Sequence, residues 1–329
     1  MSVSAPGSDL AAEVFLRHGG RLAAAKRAFP DAPTPWLDLS TGINPRPWKG
    51  ARATPADLAR LPDPEAVAAL EAAAAGAFGV SSERVAAVPG AEAGLRALPR
   101  LLDARSVAMV SPTYGGHAEA WRLAGAKIEA ISAGQIAATD AEAVVVVNPN
   151  NPDGARHESL AAGDRWLVVD ESFGETAPEL SVASQAGGRL VVLRSFGKFY
   201  GLAGVRLGFV IAEPDLTARV RAQFGDWPVA AEAIIAGTAA YADVTWRERT
   251  IRRLARDAAR LDAMLTAAGF EILGGTSLFR LTSAPDAKAR FTRLAEQGVL
   301  TRPFPDRPTW LRFGLPKTWS RLAAALEAL

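Results

Sequence analysis

Ser195-Phe196-Gly197-Lys198-Phe199-Tyr200-Gly201-Leu202-Ala203-Gly204-Val205-Arg206-Leu207-Gly208 sets one lysine among small residues, directly behind the apolar run Leu190 to Arg194. A lysine that bonds to a carbonyl carbon must be unprotonated part of the time, and a cramped site beside other cations favours that state. Ser195 and Arg206 flank it. A hydroxyl with a guanidinium suits a phosphate anchor, because the arginine fork supplies two charge-assisted bonds. Ser-x-x-Lys alone marks a surface lysine more often than a site. The full string is what sets this one apart.

Around this stretch, from Val85 to Ile211, short β-branched runs alternate with helix-length amphipathic or Ala-rich segments. That alternation is the pattern of parallel strands joined by crossover helices. Strands are expected at Val85 to Val88, Ser106 to Val110, Ala143 to Val147, Trp166 to Asp170, Leu190 to Arg194 and Leu207 to Ile211. Val144 to Val147 is apolar on both faces, which predicts a mid-sheet strand covered on each side. After Gly208 the character changes. Helical stretches at Pro228 to Tyr241 and Thr245 to Ala268 precede short strands at Phe270 to Leu273, Leu278 to Leu281 and Trp310 to Phe313, which predicts a second, smaller domain. The N-terminal segment carries Pro30, Pro33, Pro35, Pro45 and Pro47, too much proline for regular structure, and is expected to reach across an active site. There is no internal repeat.

Composition narrows the function classes. The 329 residues are 49% hydrophobic and 22% charged, a packed globular chain in more than one domain. Net charge is +2 with basic and acidic residues interspersed, so no nucleic-acid stripe is expected. The absence of cysteine excludes disulfides and thiolate chemistry. His18, His117 and His157 lack the spacing of a metal pair, so no metal site is expected. Met1 to Gly20 has no basic segment followed by an apolar run, and no span of about 18 apolar residues follows. A cytoplasmic protein without a membrane partner is the expectation.

Four further motifs accompany the lysine string. Gly90-Ala91-Glu92 opens a helix after a strand, where free backbone N–H groups and the helix dipole can hold a phosphate. Tyr114 lies in Ser111-Pro112-Thr113-Tyr114-Gly115, Asn151 in Asn148-Pro149-Asn150-Asn151-Pro152-Asp153-Gly154, and Asp170 ends Leu167-Val168-Val169. Singly these are a helix start, a core aromatic, a good turn and a helix cap. Together, in this order from Gly90 to Gly208, they resemble the fold-type I pyridoxal 5'-phosphate (PLP) enzymes, the aspartate and histidinol-phosphate aminotransferase superfamily. The resemblance implies an α/β, aspartate aminotransferase-like fold. A mainly parallel central sheet with helices on both faces would form a large PLP-binding domain over 46–225. Residues 1–45 and 226–329 would form the N-terminal arm and a smaller α/β domain. It also implies that Lys198 carries the cofactor as an imine, Asp170 faces the pyridine nitrogen and Tyr114 stacks on the ring. Asn151 would reach the 3'-oxygen and border the substrate. Gly90, Ala91, Glu92, Ser195 and Arg206 would hold the phosphate.

Within the superfamily the chain is most similar to the threonine-phosphate decarboxylases of cobalamin biosynthesis. Lys198-Phe199-Tyr200 with Gly204-Val205-Arg206-Leu207-Gly208 looks like their KFY…GLRLG string. His18-Gly19-Gly20-Arg21 and Leu37-Asp38-Leu39-Ser40-Thr41-Gly42-Ile43-Asn44-Pro45 are similar to their HGGN and DFSANINP segments. The resemblance implies that His18, Gly42 and Asn44 border the substrate phosphate and that Arg312, assisted by Arg302, grips its carboxylate. Lys198 or Tyr200 would return the proton to Cα. Phe173 stands where many aminotransferases have a tyrosine, in agreement with the decarboxylase subgroup. Two positions depart from the pattern. Arg21 replaces the asparagine of HGGN, and Leu61 replaces a tyrosine that in many relatives reaches the neighbouring subunit's cofactor. A homodimer remains the expectation. The rival activity is a histidinol-phosphate aminotransferase, which shares nearly every cofactor residue. A non-catalytic PLP-binding regulator is the rival of another class, disfavoured because no helix-turn-helix segment precedes Leu37.

Overall fold

The computed structural model describes residues 19–161 and 163–329, so His18 lies outside the described residues. The chain divides into two compact units, residues 47–251 and residues 1–46 with 252–329. The sequence reading drew its divisions at 45/46 and 225/226. Residues beyond 225 stay with the larger unit because the helix Ala231–Ala242 packs on the helix Pro64–Phe78, with the Phe78 and Tyr241 rings 5.3 Å apart, edge to face. The second division falls inside the helix Val244–Ala267.

In the larger unit β2 (Val85–Val88), β3 (Ser106–Val110), β4 (Lys127–Ile131), β5 (Ala143–Val147), β6 (Trp166–Glu171), β7 (Leu190–Ser195) and β8 (Gly208–Ile211) form one sheet in the order β2-β8-β7-β6-β5-β3-β4. Every residue of β5 is buried, as its two-sided apolar run requires. One face of the sheet presents Met109, Val145, Val168, Leu193 and Val210 to Leu95, Leu98, Trp121 and Leu216 of the covering helices. On the other, Phe209 meets Phe78 and Tyr241 at 5.7 and 5.6 Å. The sheet is mainly parallel, as expected, and its one reversed strand is β8, which pairs antiparallel with both β2 and β7. The link from β7 to β8 holds one helical turn, Phe196–Phe199, and a 3₁₀ turn, Ala203–Val205, too little chain for a crossover helix. β4, unforeseen, is an exposed edge strand that carries no apolar run.

An ion-pair clamp joins the ends of β6 and β7. Arg194 and Glu171 are register partners, and Arg194 Nη1 lies 2.7 Å from Glu171 while Nη2 lies 3.0 Å from Glu175, all three side chains buried. Burial works against the guanidinium charge, but Glu175 and then Glu171 offset it and hold Arg194 above its ordinary pKa. Arg194→Met would leave two buried carboxylates without their counter-charge. The expected cost is about 3–5 kcal/mol, read as a lower urea midpoint at unchanged slope. A midpoint equal to that of the parent would mean that the pair does not clamp the strands.

The smaller unit contains the helix Leu22–Ala28, a parallel pair of β1 (Leu37–Asp38) with β11 (Val299–Leu300), and an antiparallel sheet β12-β13-β10-β9. Those strands are Arg302–Pro303, Trp310–Gly314, Phe279–Ser283 and Glu271–Thr276. The proline-rich segment therefore carries one short strand, where the sequence predicted none. Leu37 N–H and Leu39 N–H donate to Gly298 and Leu300, and Gly314 N–H donates to Leu39, so this segment is bonded in on both sides. Among the described residues no helix is long and apolar enough to cross a membrane.

Candidate functional site

The ends of neighbouring strands and the turns that follow them build the site in the larger unit. Asp170, at the end of β6, is buried, with Oδ2 2.9 Å from Nε2 of His117 and Oδ1 accepting the Ser172 N–H at 2.8 Å. Burial alone would raise this carboxyl. The hydrogen bond and charge of His117, the nearby charge of Lys198 and the Ser172 bond outweigh burial and hold it at about 2. Asp170 therefore stays ionised at neutral pH, which suits a partner nitrogen that must remain protonated. Lys198 lies within the turn Phe196–Phe199, with Nζ 4.9 Å from the centroid of the Phe173 ring.

A chain of contacts extends from this centre. Tyr114 lies edge-on to His117 at 6.3 Å, and its hydroxyl donates to Oε2 of Glu92 at 3.2 Å. Glu92 also accepts from Arg96 at 2.8 Å, so its carboxylate is committed within the protein and only its backbone N–H remains to serve an anion. That N–H lies in the first turn of the helix Ala91–Leu102. The surroundings of this turn form a cup. A Cβ at Gly90, which has φ 85°, would lie 2.6 Å from an Arg206 nitrogen, and one at Gly208 would lie 2.3 Å from the Ala91 nitrogen. Ser195 is the register partner of Gly208. Helix N–H groups and a guanidinium thus meet where side-chain volume is excluded, an arrangement that fits a phosphate.

The asparagine loop is rigid for reasons visible in its bonds. Asn148 N–H donates to Asp170 O at 2.9 Å, and its side chain exchanges two bonds with the His157 backbone. Asn150 bonds Pro112, Asp153 and Thr113. Together these fix the residue before the half-buried Asn151.

Tyr200 is placed differently from the other site candidates. Its ring is fully buried, stacked 4.5 Å from Phe196 and 5.4 Å from Trp246, with Phe199 and Tyr241 edge-on. Burial, then the charge of Glu175, raises its phenol well above the ordinary value. These contacts join Tyr200 to an aromatic cluster.

In the smaller unit Arg302 and Arg312 are register partners on β12 and β13. Arg312 is buried, donates to Ser40 O at 3.1 Å and lies 4.9 Å from the Phe279 ring centroid. Burial, then the like charge of Arg302, pushes its guanidinium well below the ordinary value. Two neighbouring cations of this kind suit an anion with several oxygens. Gly42 is buried nearby in sequence, and Asn44, also buried, uses Oδ1 to accept from Arg46 N–H and from Arg253 at 3.0 Å.

The sequence reading missed three of these residues. His117 was weighed only as a metal ligand. Its one usable signal was its position three residues after Tyr114, one helical turn away. Arg194 is partnered by residues remote in sequence, and the bond of Arg253 to Asn44 spans 209 positions, so neither gave one. Replacing His117 with leucine removes the largest group holding Asp170 ionised. The depressed carboxyl adds stability that is complete above about pH 4 and is lost as pH falls toward 2. His117→Leu is therefore expected to cost about 1–3 kcal/mol at pH 7, with the gap from the parent narrowing as the solution is acidified. A gap that is constant with pH in urea melts would contradict the coupling.

Comparison with known proteins agrees with this geometry. The model of the family "Aminotransferase class I and II" matches residues 34–329. A threonine-phosphate decarboxylase from Sinorhizobium sp is 40% identical over 95% of this chain and 98% of its own, and one from Pseudomonas aeruginosa is 38% identical over 95% and 97%. Histidinol-phosphate aminotransferase 3 from Mesorhizobium japonicum is 31% identical over 91% and 90%. Among solved structures, the histidinol-phosphate aminotransferase from Sinorhizobium meliloti in complex with pyridoxal-5'-phosphate has a TM-score of 0.79 at 20% identity, covering 100% of this chain and 98% of that one. The L-threonine-O-3-phosphate decarboxylase from Porphyromonas gingivalis has a TM-score of 0.74 at 21% identity, covering 88% and 98%. The single reversed strand in a mainly parallel sheet, the lysine in the link that leads into it and the carboxylate two strands from it have their explanation in common descent: the chain belongs to the aminotransferase class I and II family.

Proposed function

We propose that this chain is a PLP-dependent decarboxylase that converts L-threonine O-3-phosphate to (R)-1-amino-2-propanol O-2-phosphate, the reaction of cobalamin biosynthesis, as a cytoplasmic homodimer. The observation that carries this reading is the 40% identity to a threonine-phosphate decarboxylase across 95% of the chain. The site geometry supports it. Lys198 would hold the cofactor aldehyde, Asp170 the ring nitrogen, Tyr114 the ring face and Asn151 the 3'-oxygen. Gly90, Ala91, Glu92, Ser195 and Arg206 would take the phosphate. Bound there, PLP supplies an electron sink for the pair left at Cα when carbon dioxide departs.

The protein's own part is orientation and proton control. Asp170, held at about 2, favours a protonated ring nitrogen throughout the working range. Arg312 with Arg302 supplies cationic surface for the substrate carboxylate, which must be oriented without being stabilised more in the ground state than in the transition state. His18, Gly42 and Asn44 are the candidates for the substrate phosphate. Lys198 is the group to return a proton to Cα, in preference to Tyr200, whose phenol lies in the aromatic core.

Incubating the purified protein with PLP and threonine phosphate is expected to release carbon dioxide and aminopropanol phosphate in equal amounts. Formation of glutamate from 2-oxoglutarate on addition of histidinol phosphate, without carbon dioxide from threonine phosphate, would overturn the proposal in favour of the aminotransferase.

A further inference from the structure

The turn that follows β6 does more than present Asp170. It brings Phe173, three residues on, against Lys198, with Nζ 4.9 Å from the ring centroid. The ring is 3% exposed and Lys198 is half-buried, and the Phe173 carbonyl accepts from Thr176 Oγ1 at 2.7 Å and from Thr176 N–H at 3.0 Å, which fixes the turn. A phenyl face attracts an ammonium group electrostatically and has no hydrogen-bonding group to offer a neutral amine. Of the charged groups around the lysine, Asp170 on β6, itself bonded to His117, acts in the same sense.

From this contact we propose that Phe173 sets the reaction specificity of the site, its ring face favouring the ammonium form of Lys198 once substrate has displaced that lysine. The inference rests on the decarboxylase reading and deepens it. When the substrate amine takes the place of Lys198 at the cofactor carbonyl carbon, the proton brought by the substrate ammonium is left on Nζ. An ammonium cannot remove the hydrogen on Cα, the step that opens transamination, but it can supply a proton. In decarboxylation the Cα–carboxylate bond breaks, carbon dioxide leaves without the electron pair, and the pair takes a proton from Nζ. Lys198 ends as the neutral amine that can displace the product. Phe173 is thus a positioning residue that acts through Lys198 and selects which bond at Cα reacts.

Two variants separate the ring face from simple bulk. Phe173→Leu keeps apolar volume and removes the face, and Phe173→Tyr keeps the face. In the cofactor-free full-length chain, the pH dependence of Lys198 acetylation by acetic anhydride, followed by peptide mass spectrometry, reports the amine directly. The labelling midpoint of Phe173→Leu is expected to fall by roughly one pH unit, while that of Phe173→Tyr stays within a few tenths of the parent. In the PLP-loaded enzymes with threonine phosphate, the fraction of turnovers ending in deaminated keto product is expected to rise by up to about 10-fold for Phe173→Leu, the largest factor that one pH unit represents. An unchanged midpoint in Phe173→Leu, or an unchanged product ratio even with slower turnover, would overturn the role. Failure of the unaltered enzyme to release carbon dioxide would instead sink the decarboxylase reading and leave the labelling comparison to decide what Phe173 does to the lysine.

Discussion

Lys198→Ala is expected to lower turnover of threonine phosphate by at least about 10⁴-fold, because on the proposed reading it removes both the covalent anchor for the cofactor and the proton donor, and the donor alone is worth about 10²–10⁴. The substitution should leave the fold intact. Lys198 lies within a single helical turn that alanine also favours, and the neighbours that hold this turn, Phe196, Phe199 and Tyr200, are untouched. Thermal midpoints within a few degrees of each other would accordingly accompany the loss. Lys198→Arg separates charge from nucleophilicity, since a guanidinium keeps the cation but is never deprotonated in a protein. It is expected to be as inactive as Lys198→Ala. Activity of either variant above one per cent of the parent, measured as carbon dioxide release, would remove Lys198 from the chemistry.

The second large effect is expected at Asp170. Asp170→Asn keeps the size and one acceptor but discards the charge that His117, Lys198 and Ser172 jointly stabilise. A neutral amide cannot hold the ring nitrogen of PLP protonated, so the electron sink weakens. Loss of one such preorganised electrostatic contact costs on the order of 10²–10³ in kcat. The loss should fall on kcat more than on KM, because substrate affinity depends on groups other than Asp170. Asp170→Asn should also lose the acid-dependent part of stability described for His117→Leu, since both variants break the same pair. Combining the two should therefore cost less than the sum of the single effects, as for any directly coupled pair. A double variant whose losses simply add would contradict the coupling.

The parts of this molecule that were legible in the sequence are those where burial writes a pattern. The valines of β5 are covered on both faces, so their run is apolar at every position and its place inside the sheet follows. β4 is half exposed at an edge, and nothing in Lys127 to Ile131 announces a strand. The reversal of β8 was hidden because periodicity carries no direction. Only the length of the link from Ser195 to Gly208 held the information. In the site, residues whose role lies in backbone geometry or in a compact motif were legible from Gly90 to Arg206. Partnerships made by tertiary register were not. Arg302 and Arg312 are paired in the sequence reading only by resemblance and nearness along the chain, and their adjacency across β12 and β13 depends on strand pairing. Arg194, Glu171 and Glu175 meet because β6 and β7 align, and His117 is a lone histidine until Asp170 is found 2.9 Å away.

The most direct test is reduction of the PLP-loaded protein with borohydride, followed by proteolysis and mass spectrometry. The prediction is one pyridoxyl group per chain, on the peptide that contains Lys198. A chain left unmodified after loading, or a label on Lys49, Lys127 or another lysine with Lys198 untouched, would contradict the assignment of this site.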